Sequence, residues 1–176
     1  MEYVILVDED DKKIGLMEKM DAHERSQLHR AFSVFVYNDK KQIMLQQRAF
    51  EKYHSGGLWT NTCCSHPRDG ELTIDGAHRR LMEEMGFDCE LEEVFDFIYR
   101  AELDKGLTEF ELDHVFIGEF NGLVELNSDE AMDYKWISYD DLTQDMINYP
   151  EKYTEWFKII METLEKLGFR EKILNL

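Results

Sequence analysis

The stretch from Leu58 to Gly86, LWTNTCCSHPRDGELTIDGAHRRLMEEMG, holds reactive side chains at a density that ordinary core sequence does not need. Within it fall two adjacent cysteines, Cys63 and Cys64, then His66, the pair Arg79 and Arg80, and the pair Glu83 and Glu84. It divides into a loop carrying Cys63, Cys64 and His66 and an amphipathic helix from about Thr73 to Met85, which Gly86 can close as a left-handed cap. At about 100° per residue, Ile74, Ala77, Leu81 and Met85 form the buried stripe. Arg80 and Glu84, four residues apart, lie together on its flank, and that flank faces a site more plausibly than open water.

The rest of the chain is a scaffold for this stretch. With 176 residues, 43% of them hydrophobic, it can bury about 70% of its unfolded surface as one domain over residues 1–176, with no disulfides to hold it. It has only two prolines, no internal repeat and no apolar run near the roughly 18 residues of a membrane span. The start, MEYVILVDEDD, lacks the basic region of a signal peptide, so a cytoplasmic location away from membranes is expected. A net charge of −18 argues against nucleic acid and anionic membranes as partners, so a bound anion needs a local pocket. Three cysteines, two of them adjacent, do not make a secreted framework and are read as reduced thiols.

Periodicity then orders the elements. Tyr3–Val7 and Ile14–Glu18 read as strands, followed by a short helix or loop carrying Lys19, His23 and His29. Ala31–Tyr37 and Gln42–Gln47, separated by Asn38-Asp39-Lys40-Lys41, give a hairpin signal. Ala49–Gly57 is an irregular polar connection. Val94–Ala101 and Phe110–Phe120 are strands joined through Asp104-Lys105-Gly106, and alternation puts Glu109, Glu111 and Asp113 on one face of the second. Such a row is costly unless something positive answers it. Asp133–Ser138 is a further strand, Tyr139–Met146 a short helix, and Glu151–Leu167 a long helix with Tyr153, Trp156, Phe157, Ile160, Leu164 and Leu167 at helical spacing. The class is α+β.

Arg79 to Gly86 resembles the second half of the Nudix box, in which a helix lends glutamates to a magnesium ion that grips a diphosphate. Two positions depart: Ser65 stands where the box begins with glycine, and Arg80 where a glutamate follows the first arginine. That glutamate serves the metal of a Nudix hydrolase, so the resemblance implies the fold, a mixed sheet sandwiched between helices, more than it implies hydrolysis. TNTCCSHP ahead of the helix, with Glu109-Phe110-Glu111 on a later strand, is similar to the type I isopentenyl-diphosphate isomerases. The likeness runs through Met17-Glu18-Lys19, Leu28-His29, Gln47-Arg48-Ala49, Leu58 to Asn61, Cys64, His66-Pro67 and Asp129 to Tyr134.

The resemblance implies interconversion of isopentenyl and dimethylallyl diphosphate by proton addition and removal through a tertiary cation, with no organic cofactor. By it, Cys64 and Glu111 are the acid–base groups, Tyr99 steadies Glu111, and Trp156 offers a π face to the cation. His23, His29, His66, Glu109 and Glu111 match the family's metal site, suited to Mn2+ or Zn2+. The interval from His23 to His29 is a residue shorter than in familiar members. Lys19, Arg48, Lys52 and Arg80 match the diphosphate-binding cations, and Glu84 with the Cys64 backbone carbonyl is where Mg2+ is expected. His54, His78 and His114 have no counterpart and are taken as structural or exposed. The expected partner is a small isoprenoid diphosphate, and the expected assembly a monomer or weak homodimer.

Taken singly, each of these residues has a plainer reading. A lone cysteine is usually a small buried hydrophobe, as Cys63 is here, paired glutamates are a solvated face, and a tryptophan at helical spacing is core. Their joint pattern raises them above that. The nearest rival is a Nudix hydrolase cleaving a diphosphate substrate, and a more distant one is a zinc module on Cys63, Cys64 and His66, which lacks a second ligand pair.

Overall fold

The computed structural model describes residues 2–168, so the ends of the predicted 1–176 domain lie outside the described residues. The strands are β1 (Tyr3–Val7), β2 (Lys13–Glu18), β3 (His29–Tyr37), β4 (Gln42–Arg48), β5 (Trp59–Thr60), β6 (Cys63–Ser65), β7 (Leu91–Glu102), β8 (Thr108–Glu119) and β9 (Ala131–Ser138). The helices are α1 (Lys19–Glu24), α2 (Thr73–Met85), α3 (Tyr139–Asn148) and α4 (Glu155–Lys166). All nine strands join one mixed sheet. Helix α2 covers one face through Ala77, Leu81 and Met85. The other face is covered by α4 through Trp156, Phe157, Ile160 and Leu164, each contributing about 1.5–3 kcal/mol by burial.

Helix α2 keeps the expected limits, and Gly86 closes it at φ 72°. A Cβ there would also collide with the Glu125 carbonyl, so the position calls for glycine twice over. Helix α4 begins four residues later than its periodicity implied. Pro150–Lys152 form a 3-10 turn, Tyr153 then bridges Trp59, and the Thr154 N–H donates to the Trp59 carbonyl at 3.0 Å, so these two residues stay extended until Glu155. That pinning sets where Trp156 enters the core. Leu167, placed on the buried stripe by spacing, is 60% exposed beyond the last turn. His29 opens β3 instead of lying in the preceding loop.

The β3–β4 hairpin departs most from expectation. Its turn forms as read, with Asn38 Oδ1 accepting from the Lys40 and Gln42 N–H groups, yet the arms pair only at Tyr37 and Ile43. Beyond that they splay, and the segment carrying β5 and β6 wedges between them, β6 against β3 and β5 against β4. Buried polar side chains replace the missing rungs. Thr62 Oγ1 accepts from the Val36 N–H at 2.9 Å and donates to the Met44 carbonyl at 2.8 Å, while Asn61 Nδ2 donates to the Cys63 carbonyl at 2.7 Å. Thr60, Asn61 and Thr62 are therefore buried because the sheet has a gap that only hydrogen-bonding side chains can fill.

Thr62→Val keeps the shape but leaves the Val36 N–H and Met44 carbonyl unpaired. It should lower stability by about 1–3 kcal/mol, read as a lower urea midpoint at unchanged slope. Thr62→Ser keeps the hydroxyl and should lose less than half as much; equal losses would show that the bridge is not what holds the wedge.

Candidate active site

The site is built where β7, β8 and β3 lie side by side. Strand β8 pairs antiparallel with β7 and parallel with β3, and the registers set Tyr99 and His29 on either side of Glu111. Tyr99 Oη donates to Glu111 Oε2 at 2.6 Å, and His29 Nε2 lies 3.3 Å from Glu111 Oε1. Glu109, Glu111 and Asp113 share a face, as alternation requires, and all three are buried there. Burial would raise Glu111, but the imidazoles of His29 and His66 outweigh it and hold its carboxyl well below the usual range. Burial and the neighbouring Glu111 charge push Glu109 well up. A protonated Glu109 can donate to Tyr99 Oη, 3.0 Å away, leaving the phenol hydrogen for Glu111.

Three imidazoles meet this carboxylate. His23 and His29 each donate Nδ1–H to a backbone carbonyl, of Lys19 at 2.7 Å and of Gln27 at 2.8 Å, which leaves Nε2 as the ring nitrogen that can take another partner. His29 Nε2 and His66 Nε2 are 3.2 Å apart, and His66 Nε2 is 3.1 Å from Glu111 Oε1. Burial lowers the His23 imidazole and holds His66 down at about 4, so His66 is neutral near pH 7. Ring nitrogens this close to one another and to a carboxylate need a proton or a cation among them. The buried His23 Nε2 has no hydrogen-bond partner. A donor atom from each of His23, His29, His66 and Glu111 lies within 4.8 Å of the others. Separations of 3.1–3.3 Å among His29, His66 and Glu111 suit bonds of about 2.1 Å to one ion. This donor set fits a divalent transition metal.

Strand β6 lies along the edge of β3 opposite β8 and brings in the thiol. Cys63 pairs with Val34 and is buried on the α2 face, whereas Cys64 pairs with Ser33, packs on the α4 face and lines the pocket. The two adjacent thiols are thus separated by the pleat. Burial pushes the Cys64 thiol up, with Arg48 partly opposing, so it holds its proton.

The four predicted cations, Lys19, Arg48, Lys52 and Arg80, all line the same pocket, as do Glu84, Tyr99 and Trp156. Arg48 is buried with its guanidinium 5.1 Å over the Trp156 ring, and Lys19 lies 4.7 Å over Tyr53. Lys52 pairs with Glu130, which Arg80 also reaches at 3.1 Å. Glu84 Oε1 accepts from Arg80 Nη2 at 2.7 Å and Oε2 from Gln46 Nε2 at 2.8 Å. Burial opposes the charge of Arg80, and Glu84 and Glu130 more than offset it. Every cation answers a carboxylate or an aromatic ring, so the cluster is stable inside an acidic protein.

The NUDIX domain family model matches residues 27–157. The isopentenyl-diphosphate Delta-isomerase of Pectobacterium atrosepticum is 53% identical over 156 residues, covering 89% of this chain and 87% of the relative. The isopentenyl-diphosphate Delta-isomerase 2 of Photorhabdus laumondii is 52% identical, covering 97% and 96%. The chain belongs to the isopentenyl-diphosphate Delta-isomerase family, within the Nudix superfamily. Among solved structures, DR0079 from Deinococcus radiodurans superposes with a TM-score of 0.75 at 16% identity, covering 94% of this chain and 98% of that one. The MutT protein of Methanosarcina mazei Go1 gives 0.66 at 18% identity, covering 80% and 95%. At those identities they show the fold alone, a mixed sheet between helices.

Among the family-matched residues, Glu109 is the one whose carboxylate falls outside the four-residue donor group, lying instead with His23 and His54. His54, taken from the sequence as structural or exposed, is the former. It is 2% exposed and lines the pocket, and burial with the adjacent Arg48 keeps it down at about 2, hence neutral. The loop that carries it has no periodicity to reveal this. His78 and His114 are as expected, paired with Asp88 at 2.6 Å and with Glu93 at 2.6 Å.

If the donor set holds a transition metal, chelator-treated protein should melt roughly 5–10 °C higher with the ion at about 100 times its Kd. His66→Ala should lose most of that rise. The same rise in wild type and variant would place the ion elsewhere.

Proposed function

We propose that this chain, as a single isomerase domain, interconverts isopentenyl and dimethylallyl diphosphate by proton addition and removal. The observation that carries the reading is a thiol on β6 and the Glu111–Tyr99 pair on β8 and β7, flanking β3 on opposite sides in one pocket that is also lined by four cations. Membership of the isopentenyl-diphosphate Delta-isomerase family supplies the substrate. Among the described residues no helix is long and apolar enough to cross a membrane.

In this reading the substrate's alkene sits between Cys64 and Glu111, in the pocket that Ser33 also lines. A proton added to the terminal methylene carbon gives a tertiary cation, and loss of a proton from the carbon nearer the diphosphate forms the internal double bond. Cys64 enters with its thiol protonated and Glu111 as a carboxylate, so one donor and one acceptor face the alkene, and their roles exchange in the reverse direction. Tyr99 steadies Glu111 through its 2.6 Å hydrogen bond. Trp156 turns a buried indole to the pocket, and a π face of that kind stabilises the cation without offering it a nucleophile. Lys19, Arg48, Lys52 and Arg80 bind the diphosphate.

His23, His29, His66, Glu109 and Glu111 would hold Mn2+ or Zn2+, which supplies fixed positive charge that orients the carboxylates. Glu84 and the Cys64 carbonyl would hold Mg2+ against the diphosphate. Hydrolysis is disfavoured by Arg80, which stands where a hydrolase carries a metal-binding glutamate.

Incubation with isopentenyl diphosphate and Mg2+ in deuterated water should give dimethylallyl diphosphate carrying deuterium. Release of phosphate or pyrophosphate without isomer would sink the reading. Cys64→Ala should lower turnover by about 10²–10⁴-fold while the protein still folds and binds diphosphate, whereas Cys63→Ala should cost packing alone. An active Cys64→Ala enzyme would remove the thiol from the mechanism. Glu84→Gln should lower activity in a way that high Mg2+ partly restores, with transition-metal content unchanged; an unaltered Mg2+ dependence would place Glu84 elsewhere.

A further inference from the structure

The Ala49–Gly57 loop is irregular, polar and tied down on several sides. The Ser55 N–H donates to Asp104 Oδ1 at 3.0 Å, and Lys105 Nζ donates to the Tyr53 carbonyl at 3.0 Å. His54 is fixed more closely still. Its carbonyl accepts from Arg48 Nη2 at 3.2 Å, its Nδ1 meets Ser55 Oγ at 3.2 Å, and its ring stands edge-on to Trp156 at 5.5 Å and 88°. With Nδ1 committed to Ser55, Nε2 faces Glu109 Oε1 across 3.8 Å. That is too long for a hydrogen bond and suits two donors sharing a cation.

A donor atom from each of His23, His54 and Glu109 lies within 4.8 Å of the other two, and His23 belongs equally to the group formed with His29, His66 and Glu111. With its Nδ1 committed to the Lys19 carbonyl, His23 is left with Nε2, which is buried and has no hydrogen-bond partner. An imidazole nitrogen has one lone pair to give, so an ion held by His23 has His29, His66 and Glu111 on one side and His54 and Glu109 on the other. We propose that His54 is a fourth imidazole of the metal centre, reaching the ion beside Glu109 from the loop side. The proposal rests on the metal-binding reading of His23, His29, His66, Glu109 and Glu111.

Two consequences follow from the chemistry. Four imidazoles with two carboxylates favour a nitrogen-preferring ion such as zinc or cobalt over an oxygen-preferring one such as magnesium. His54 is also two residues from Lys52 and bonded through its carbonyl to Arg48, so an ion held by His54 fixes the loop that presents Lys52 and braces Arg48 on β4.

The test is titration of metal-free protein with cobalt(II) against a competing chelator, following the visible absorption of the bound ion. His54→Phe keeps a ring against Trp156 and removes the nitrogen; it should bind cobalt at least about 10-fold more weakly, with altered bands. His54→Ala, measured beside it, should show the same loss, and His78→Ala should match wild type. Wild-type affinity and spectrum in either folded His54 variant would overturn the assignment and leave the three-histidine reading standing. A wild-type protein that takes up no cobalt would sink both.

Discussion

Burial of three carboxylates on one strand face is the constraint the rest of this structure answers. Glu109, Glu111 and Asp113 continue the face on which Val115 and Ile117 pack under α4, so the sheet turns from apolar to acidic along a single strand. Each acid is met differently. Glu111 is held ionised by imidazoles, Glu109 is pushed toward its protonated form beside Tyr99, and Asp113 accepts from Ser33 Oγ at 2.9 Å while burial raises it. Together they set three buried acids in three different environments away from bulk water.

That arrangement depends on the parallel pairing of β3 with β8. In this register His29 is the partner of Glu111, and Tyr99 joins the same row from β7. A shift of one residue would turn His29 to the α2 face and leave Glu111 buried without its imidazoles. The wedge between β3 and β4 completes the enclosure by carrying Cys64 to the far side of β3. Its buried Thr60, Asn61 and Thr62 act as sheet rungs, which explains why a polar triplet occurs in the interior.

The helix bearing Arg80 and Glu84 shows how an acidic protein can receive an anion. The overall charge repels polyanions, while Lys19, Arg48, Lys52 and Arg80 gather in one pocket, held there by Glu84, Glu130, Tyr53 and Trp156. The positive charge of these four cations is concentrated in one place by neighbours that an acidic surface elsewhere does not provide.

Much of this was legible in residue order. The limits of α2 and its Gly86 cap, the common face of Glu109 and Glu111, and the opposite faces of Cys63 and Cys64 follow from helical and strand periods, because those periods are local properties of the backbone. The TNTCCSHP and Glu109-Phe110-Glu111 motifs carried the family. Only the tertiary structure decided that β8 pairs with β3 in parallel, that the β3–β4 hairpin opens around β5 and β6, that Tyr153 and Thr154 hold α4 back by four residues, and that His54 enters the site. A period tells which side a residue faces but not which strand will lie beside it, and an irregular loop has no period at all. Those choices belong to long-range hydrogen bonds and burial, which exist only once the chain has closed on itself.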